Sequence, residues 1–179
     1  MDIKELIKLK RASINAEEMT LQEDARRRDE ENVMEGEIIQ FVSFLLDEVE
    51  YGINILAVHE ILRMPDITRL PNTPPFIKGV INLRGNVVPV VDIRERFGFP
   101  KAKITDLTRV IVIETADKLV GLLVDNVYQV VRLHETNIDP PSELIEGVSE
   151  EFILGIGRLP DRLVVILNLD NMLFEEREK

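Results

Sequence analysis

The chain contains no cysteine, which rules out a disulfide framework, a thiol nucleophile and any cysteine-based zinc site. It has no tryptophan, and aromatic residues make up only 5% of its 179 residues. No stretch approaches the roughly 20 consecutive apolar residues that a membrane-spanning helix needs. The N-terminus, Met1 to Lys10, is charged throughout and lacks the apolar centre of a secretory signal. Histidine occurs twice, as His59 and His134. The two lie far apart in separate strand-rich regions, where packing or surface roles are the ordinary reading.

Other absences narrow the chemistry further. There is no Gly-x-Ser-x-Gly elbow and no phosphate-binding loop ending in Gly-Lys-Ser/Thr. Gly155-Ile156-Gly157 echoes a dinucleotide fingerprint, but Pro160 stands where the third glycine belongs, and no helix is expected directly after it. The sequence thus points to no catalytic residue, metal site or cofactor. Cations are in short supply: Lys and Arg total 22 against 33 Asp and Glu, for a formal net charge of −11. Proteins that hold nucleic acid neutralise phosphates with cations, so this balance argues against such partners. It suits a cytoplasmic protein whose partners are other proteins.

Hydrophobic residues, at 45%, are plentiful and sufficient for a buried core. Residues 1–36 nevertheless differ from the rest, with no proline, no aromatic residue and nearly half their positions charged. Asp2-Ile3-Lys4-Glu5 and Thr20-Leu21-Gln22-Glu23 read as capping boxes, and Ile3, Leu6, Ile7 and Ile14 fall on one side of a first helix. We expect a partly helical leader over 1–36 and one structured domain over 37–175.

From Glu37 the texture becomes β, with short runs rich in Val, Ile and Phe separated by Gly, Pro, Asn and Asp. The clearest are Ile38–Leu46, Gly79–Leu83, Val87–Asp92, Arg109–Thr115, Lys118–Val124, Val127–Leu133, Phe152–Ile156 and Leu163–Asn168. Asp47 to Glu50, Gly85-Asn86 and Ala116-Asp117 supply turns. Pro89 implies an edge or a bulge, since it cannot donate to a ladder. Arg109 at the head of a strand suggests an edge open to solvent or a partner. Short helices are expected at Ile93–Phe97 and Leu169–Arg177.

The runs also repeat. Moved by 69 positions, Phe41–Leu62 lies on Val110–Val131 without a gap; moved by 76, Gly79–Phe97 lies on Gly155–Leu173. We read two copies of one small barrel, each of about five strands, that exchange elements and share a hydrophobic seam, because so small a barrel buries little alone.

Val58-His59-Glu60-Ile61, then Thr73-Pro74-Pro75-Phe76-Ile77-Lys78-Gly79, Val80-Ile81-Asn82-Leu83-Arg84-Gly85 and Val88-Pro89-Val90-Val91-Asp92 resemble the CheW family of chemotaxis coupling proteins. Val120-Gly121, Val124 to Val127 and Gly155-Ile156-Gly157 extend the resemblance to the second copy. It implies an all-β fold of two SH3-like five-stranded barrels on a shared hydrophobic core, with a short C-terminal helix. It also implies a non-catalytic adaptor, recruited to membrane-associated chemoreceptor arrays without inserting into the membrane. The implied partners are the cytoplasmic tip of methyl-accepting chemoreceptors and the regulatory domain of the histidine kinase CheA.

The receptor's helical hairpin would enter a groove between the barrels. The resemblance assigns Val58, Glu60, Gly79, Arg84, Val127, Val130 and Gly155 to that groove, with Glu60 and Arg84 as a charged pair. It assigns Ile67, Leu70 and Val88 to the kinase-facing end of the first barrel and Leu144 to a ring-closing contact. Within the resemblance, the alternative is a coupling protein of a chemotaxis-like pathway with another output, such as pilus or surface motility; from a different class, the alternative is a small-molecule-binding double barrel.

Overall fold

The computed structural model describes residue 3 and residues 37–101, 103–141 and 148–174. Leader residues other than Ile3 therefore lie outside the described part, as does Leu144.

Eleven strands and two short helices follow one another among the described residues: β1 (Ile38–Leu46), β2 (Val49–Asn54), β3 (Val58–Arg63), β4 (Ile77–Leu83), β5 (Asn86–Asp92), α1 (Ile93–Arg96), β6 (Arg109–Thr115), β7 (Lys118–Val124), β8 (Asn126–His134), β9 (Ile138–Asp139), β10 (Ile153–Arg158), β11 (Leu163–Leu167) and α2 (Leu169–Phe174). They form two sheets, of order β8-β1-β2-β11-β10-β9 and β3-β6-β7-β5-β4. Strands β2 and β3 show in the sequence only through the repeat, β4 and β8 extend beyond their expected bounds, and β9 gives one sheet a sixth strand where about five are expected. Its counterpart in the other sheet is a single bridge, Thr68 to Val80.

The exchange between the copies is reciprocal. In one sheet β1 and β2 of the first copy pair with β8 and β11 of the second, while in the other β6 and β7 of the second pair with β3 and β5 of the first. The registers agree residue by residue. Val42 faces Val130 across β1 and β8, and Ile61 faces Ile111 across β3 and β6. The parallel joints match too, with Ile166 opposite Gly52 and Val90 opposite Gly121.

Apolar residues divide into three clusters. Val88, Val90, Val110 and Val112 fill the inside of the five-stranded sheet. Phe41, Val131, Val164 and Ile166 fill the inside of the six-stranded one. A larger cluster between the sheets unites Val42, Phe44, Val58, Ile111, Leu122, Ile153 and Val165. Strands such as β1, with Phe41 to Phe44 all buried, contribute to both layers, so apolar residues occupy both faces where one alternating face would otherwise do. This is the expected arrangement of two SH3-like barrels on a common seam.

Several local expectations need correcting. The first hairpin turn is Asp47-Glu48 alone, and Val49 already belongs to β2. The turn between β4 and β5 is Arg84-Gly85, both at positive φ (51° and 88°), the geometry that matches the twist of a two-residue hairpin. Pro89 lies on an inner strand, between β7 and β4. It is tolerated because its partner Val80 turns its own N–H and C=O to Thr68, and the ladder with β7 begins only at Val90. Strand β6, carrying Arg109, is likewise internal. The Arg109 guanidinium folds back onto the carbonyls of Asp106 and Thr108.

Candidate partner-binding groove

Strand β3 emerges from a 3-10 turn, Ile55–Ala57, that Asn54 caps by accepting from the Leu56 N–H. The ladder to β6 then skips His59, passing from Val58 opposite Ile113 to Glu60 opposite Val112. Strand β8 has the same irregularity at Tyr128. A bulge re-aims the side chains that follow it. Here it leaves Val58 in the shared core and brings Glu60 to the flank of the sheet.

Glu60 meets the β4–β5 hairpin. Its Oε2 lies 3.7 Å from an Arg84 guanidinium nitrogen, and the two side chains are 18% and 75% exposed. The hairpin holds Arg84 in place through Asn82, whose side-chain oxygen accepts from the Gly85 N–H at 3.0 Å. The other Glu60 oxygen, Oε1, is buried and has no hydrogen-bond partner among the described residues. A sequestered carboxylate oxygen without a donor is costly, and a cationic or N–H group brought by a partner would remove that cost. Val127 and Val130 pack half-buried on the rim of the shared core that contains Val58.

The remaining assignments divide. Val58 is fully buried, so it offers no surface. Gly79 and Gly155 are buried as well. A Cβ on Gly79, at φ 146°, would stand 2.1 Å from the Thr68 carbonyl oxygen, and one on Gly155 would stand 2.6 Å from that of Asp139. These glycines let the chain cross its own backbone.

At the end expected to face a kinase, Ile67 is half-buried against the inner cluster and Leu70 is 42% exposed. Val88 is 0% exposed, inside that cluster, whereas its neighbour Val87 is 71% exposed. Val88 therefore cannot touch a partner, and Val87 is the residue that can. Strand alternation carries the signal, since Val88 and Val90 both face inward. Val87 borders a cleft lined by Phe76, Pro89, Leu119 and Leu173.

A second group escaped the sequence reading. Arg94, buried on α1, donates from Nε to both carboxylate oxygens of Asp125 at 2.8 and 2.9 Å and pairs with Asp47 in the β1–β2 turn. The Asp125 hydrogen bonds and those of Asp47 hold its pKa above the ordinary arginine range, against the opposing effect of burial. Asp92 caps α1 by accepting from the Arg94 N–H at 2.9 Å, and burial raises its pKa. The Tyr51 hydroxyl, buried and near Asp47, is pushed up to about 12. These groups tie one barrel to the other. Neither they nor any other Asp, Glu and His residues among those described form a cluster that could hold a metal ion.

Comparison with known proteins bears on these surfaces. The family model described as "CheW-like domain" matches residues 40–177. The chain is similar to "Chemotaxis protein CheW" of Helicobacter pylori, with 37% identity over 137 residues, covering 76% of this chain and 82% of the relative. It is 36% identical to "Chemotaxis protein CheW" of Bacillus subtilis over 76% of this chain and 88% of the relative. It is 30% identical to "Protein FrzA" of Myxococcus xanthus, over 78% and 88%. Among solved structures, the scaffolding protein TtCheW of Thermoanaerobacter tengcongensis matches with a TM-score of 0.74 and 36% identity, covering 80% of this chain and 97% of that one.

Proposed function

The chain belongs to the CheW-like domain family, and from that premise we propose that it couples methyl-accepting chemoreceptors to the histidine kinase CheA without catalysing a reaction. The receptor's cytoplasmic tip, a helical hairpin, would lie along Glu60, Arg84, Val127 and Val130. Val58 would hold the floor, and Gly79 and Gly155 would shape the strands on either side. The observation that carries this reading is the state of Glu60. Its carboxylate is mostly withdrawn from water, faces a single exposed arginine, and keeps one oxygen free of hydrogen bonds among the described residues.

The regulatory domain of CheA would meet the far end of the five-stranded barrel at Leu70 and Val87, with Ile67 supporting them. Leu144 would form the ring-closing contact. Recruitment from the cytoplasm to a receptor array requires no membrane insertion by this chain, and no described helix is long and apolar enough to cross a membrane.

The test is reconstitution from purified parts. Chain, receptor-tip fragment and kinase regulatory domain should co-elute as a ternary complex. A chain that binds neither partner contradicts the proposal. The similarity to FrzA, a relative that bears a different name, favours a second reading in which the pathway has another output. Exchange of the receptor fragment for those of each receptor in the same genome separates the two.

A further inference from the structure

Strand β7 belongs to the five-stranded sheet and β8 to the six-stranded one, and a single residue, Asp125, joins them. The chain changes barrels there, immediately before the strand that carries Val127 and Val130. Three segments meet on the Asp125 carboxylate. Arg94, 8% exposed on the helix that follows β5, donates from Nε to both of its oxygens. The main-chain N–H of Asp47, in the β1–β2 turn, donates to Oδ2 at 3.4 Å. The Asp47 carboxylate closes the triangle by accepting from the same guanidinium. A planar arginine bound to a carboxylate in this way fixes direction as well as distance. Beyond the joint, Asn126 and Val127 pair at once with Leu45 and Phe44.

The other change of barrel, through Ile55–Ala57 between β2 and β3, is built differently. By the repeat, Leu56 stands in the place of Asp125, Ala116 in that of Asp47 and Asp170 in that of Arg94. Two of the three positions carry no charge, so the ionic clamp exists at one crossing only. Leu56 is 64% exposed, and Asp170 accepts from the Thr115 hydroxyl at 2.6 Å. The clamp is therefore a feature added to one side of the seam, and packing of two equivalent barrels does not by itself require it.

We propose that Arg94 is a positioning residue for the candidate groove: by clamping Asp125 to the β1–β2 turn, it sets where Val127 and Val130 stand against Glu60 and Arg84. This rests on the receptor-groove reading given above. Glu60 and Arg84 come from one barrel and the two valines from the other, so the spacing of the groove depends on the joint between them. Arg94 is buried and acts through Asp125. Without it, Asp125 and Asp47 face each other as like charges, and the start of β8 moves away from the turn.

The test compares the unaltered full chain with Arg94→Gln by NMR hydrogen exchange and by calorimetry. Amide exchange across residues 126–130 should quicken about tenfold, while that of residues 164–167 on β11 stays as it was. Affinity for a receptor-tip fragment should fall about tenfold, since a binding constellation tolerates displacement of only about 0.5 Å. Binding of the kinase regulatory domain should be unchanged. Asp125→Asn, at a side chain 27% exposed, should act in the same direction, and it carries the test if Arg94→Gln does not fold. The double variant should lose no more than the worse single one, because both remove one contact. Unchanged exchange over residues 126–130 overturns the proposal, and so does exchange that quickens evenly along the chain. Local quickening with receptor affinity unchanged, or losses that add in the double variant, overturns it as well. Local quickening in a chain whose unaltered form does not bind the receptor fragment leaves the clamp on β8 standing and contradicts the receptor reading instead.

Discussion

Arg96 donates from Nε to the main-chain oxygen of Met172 at 2.7 Å, and each residue occupies the other's place in the repeat, 76 positions along. The same guanidinium lies over the rings of Phe76 and Phe152, 5.0 and 4.5 Å from their centroids. Those two phenylalanines are counterparts as well, and their carbonyls accept equivalent bonds from Asp92 and Asn168. One arginine therefore sits where the two copies face each other, between an aromatic ring from each.

Arg96→Met should lower stability by about 2–3 kcal/mol, from loss of two cation–π contacts and a charge-assisted hydrogen bond. Arg96→Lys should recover only part of this, because an ammonium cannot stack between rings as a planar guanidinium does. Urea unfolding of the three proteins measures both differences.

Tyr51 gives a pH dependence. Its folded pKa of about 12 exceeds the ordinary value of 10, so the fold favours the protonated phenol. That contribution is complete below pH 10 and is lost as pH rises from 10 towards 12. Stability should fall by about 2 kcal/mol across that window. Tyr51→Phe should remove this component from the stability–pH curve, and a spectroscopic titration should show a tyrosine ionising near 12.

Val87 and Val88 separate surface from core by one residue. Val87→Asp should change stability by roughly 0.5 kcal/mol or less and weaken binding of the kinase regulatory domain at least tenfold. Val88→Asp places an unpaired charge inside the barrel and should cost on the order of 4 kcal/mol or more. A thermal melt and a binding titration on each protein check the pair.

Gly79→Ala should be among the most damaging single-methyl changes, roughly 3 kcal/mol or more, since the new Cβ meets a carbonyl at 2.1 Å and the φ of 146° disfavours a side chain. Gly155→Ala, with its clash at 2.6 Å, should cost less. The ranking is read from chemical denaturation.

These cases show how far the sequence carries. The two copies and their strands were legible because apolar alternation and turn residues are local, and the gap-free match of Phe41–Leu62 with Val110–Val131 put equivalent strands together. The Glu60–Arg84 pair came from the family resemblance. The bulges at His59 and Tyr128 were not legible, because an unpaired residue looks like any other strand residue until the register is known. The resemblance points to Val88 where the surface residue is Val87, because a one-residue change of parity alters the face and parity is fixed by pairing. The roles of Arg94 and Arg96 depend on partners distant in sequence, Asp125 and Met172. The repeat did hold a trace of the second: an arginine stands in one copy where an apolar methionine stands in the other.

The measurement that bears most directly on the receptor groove is a titration of a receptor-tip fragment against the unaltered chain and Arg84→Glu. Arg84 is largely exposed and its ion pair is long, so the pair contributes only about 0.2–1 kcal/mol to folding, and the melting curve should scarcely move. The substitution sets a second carboxylate beside Glu60 and reverses the local charge of the groove, where a partly desolvated interface charge is worth about 2–5 kcal/mol. Receptor affinity should fall thirtyfold or more while binding of the kinase regulatory domain persists. A folded Arg84→Glu protein that binds the receptor fragment as tightly as the unaltered chain would contradict the assignment of the groove.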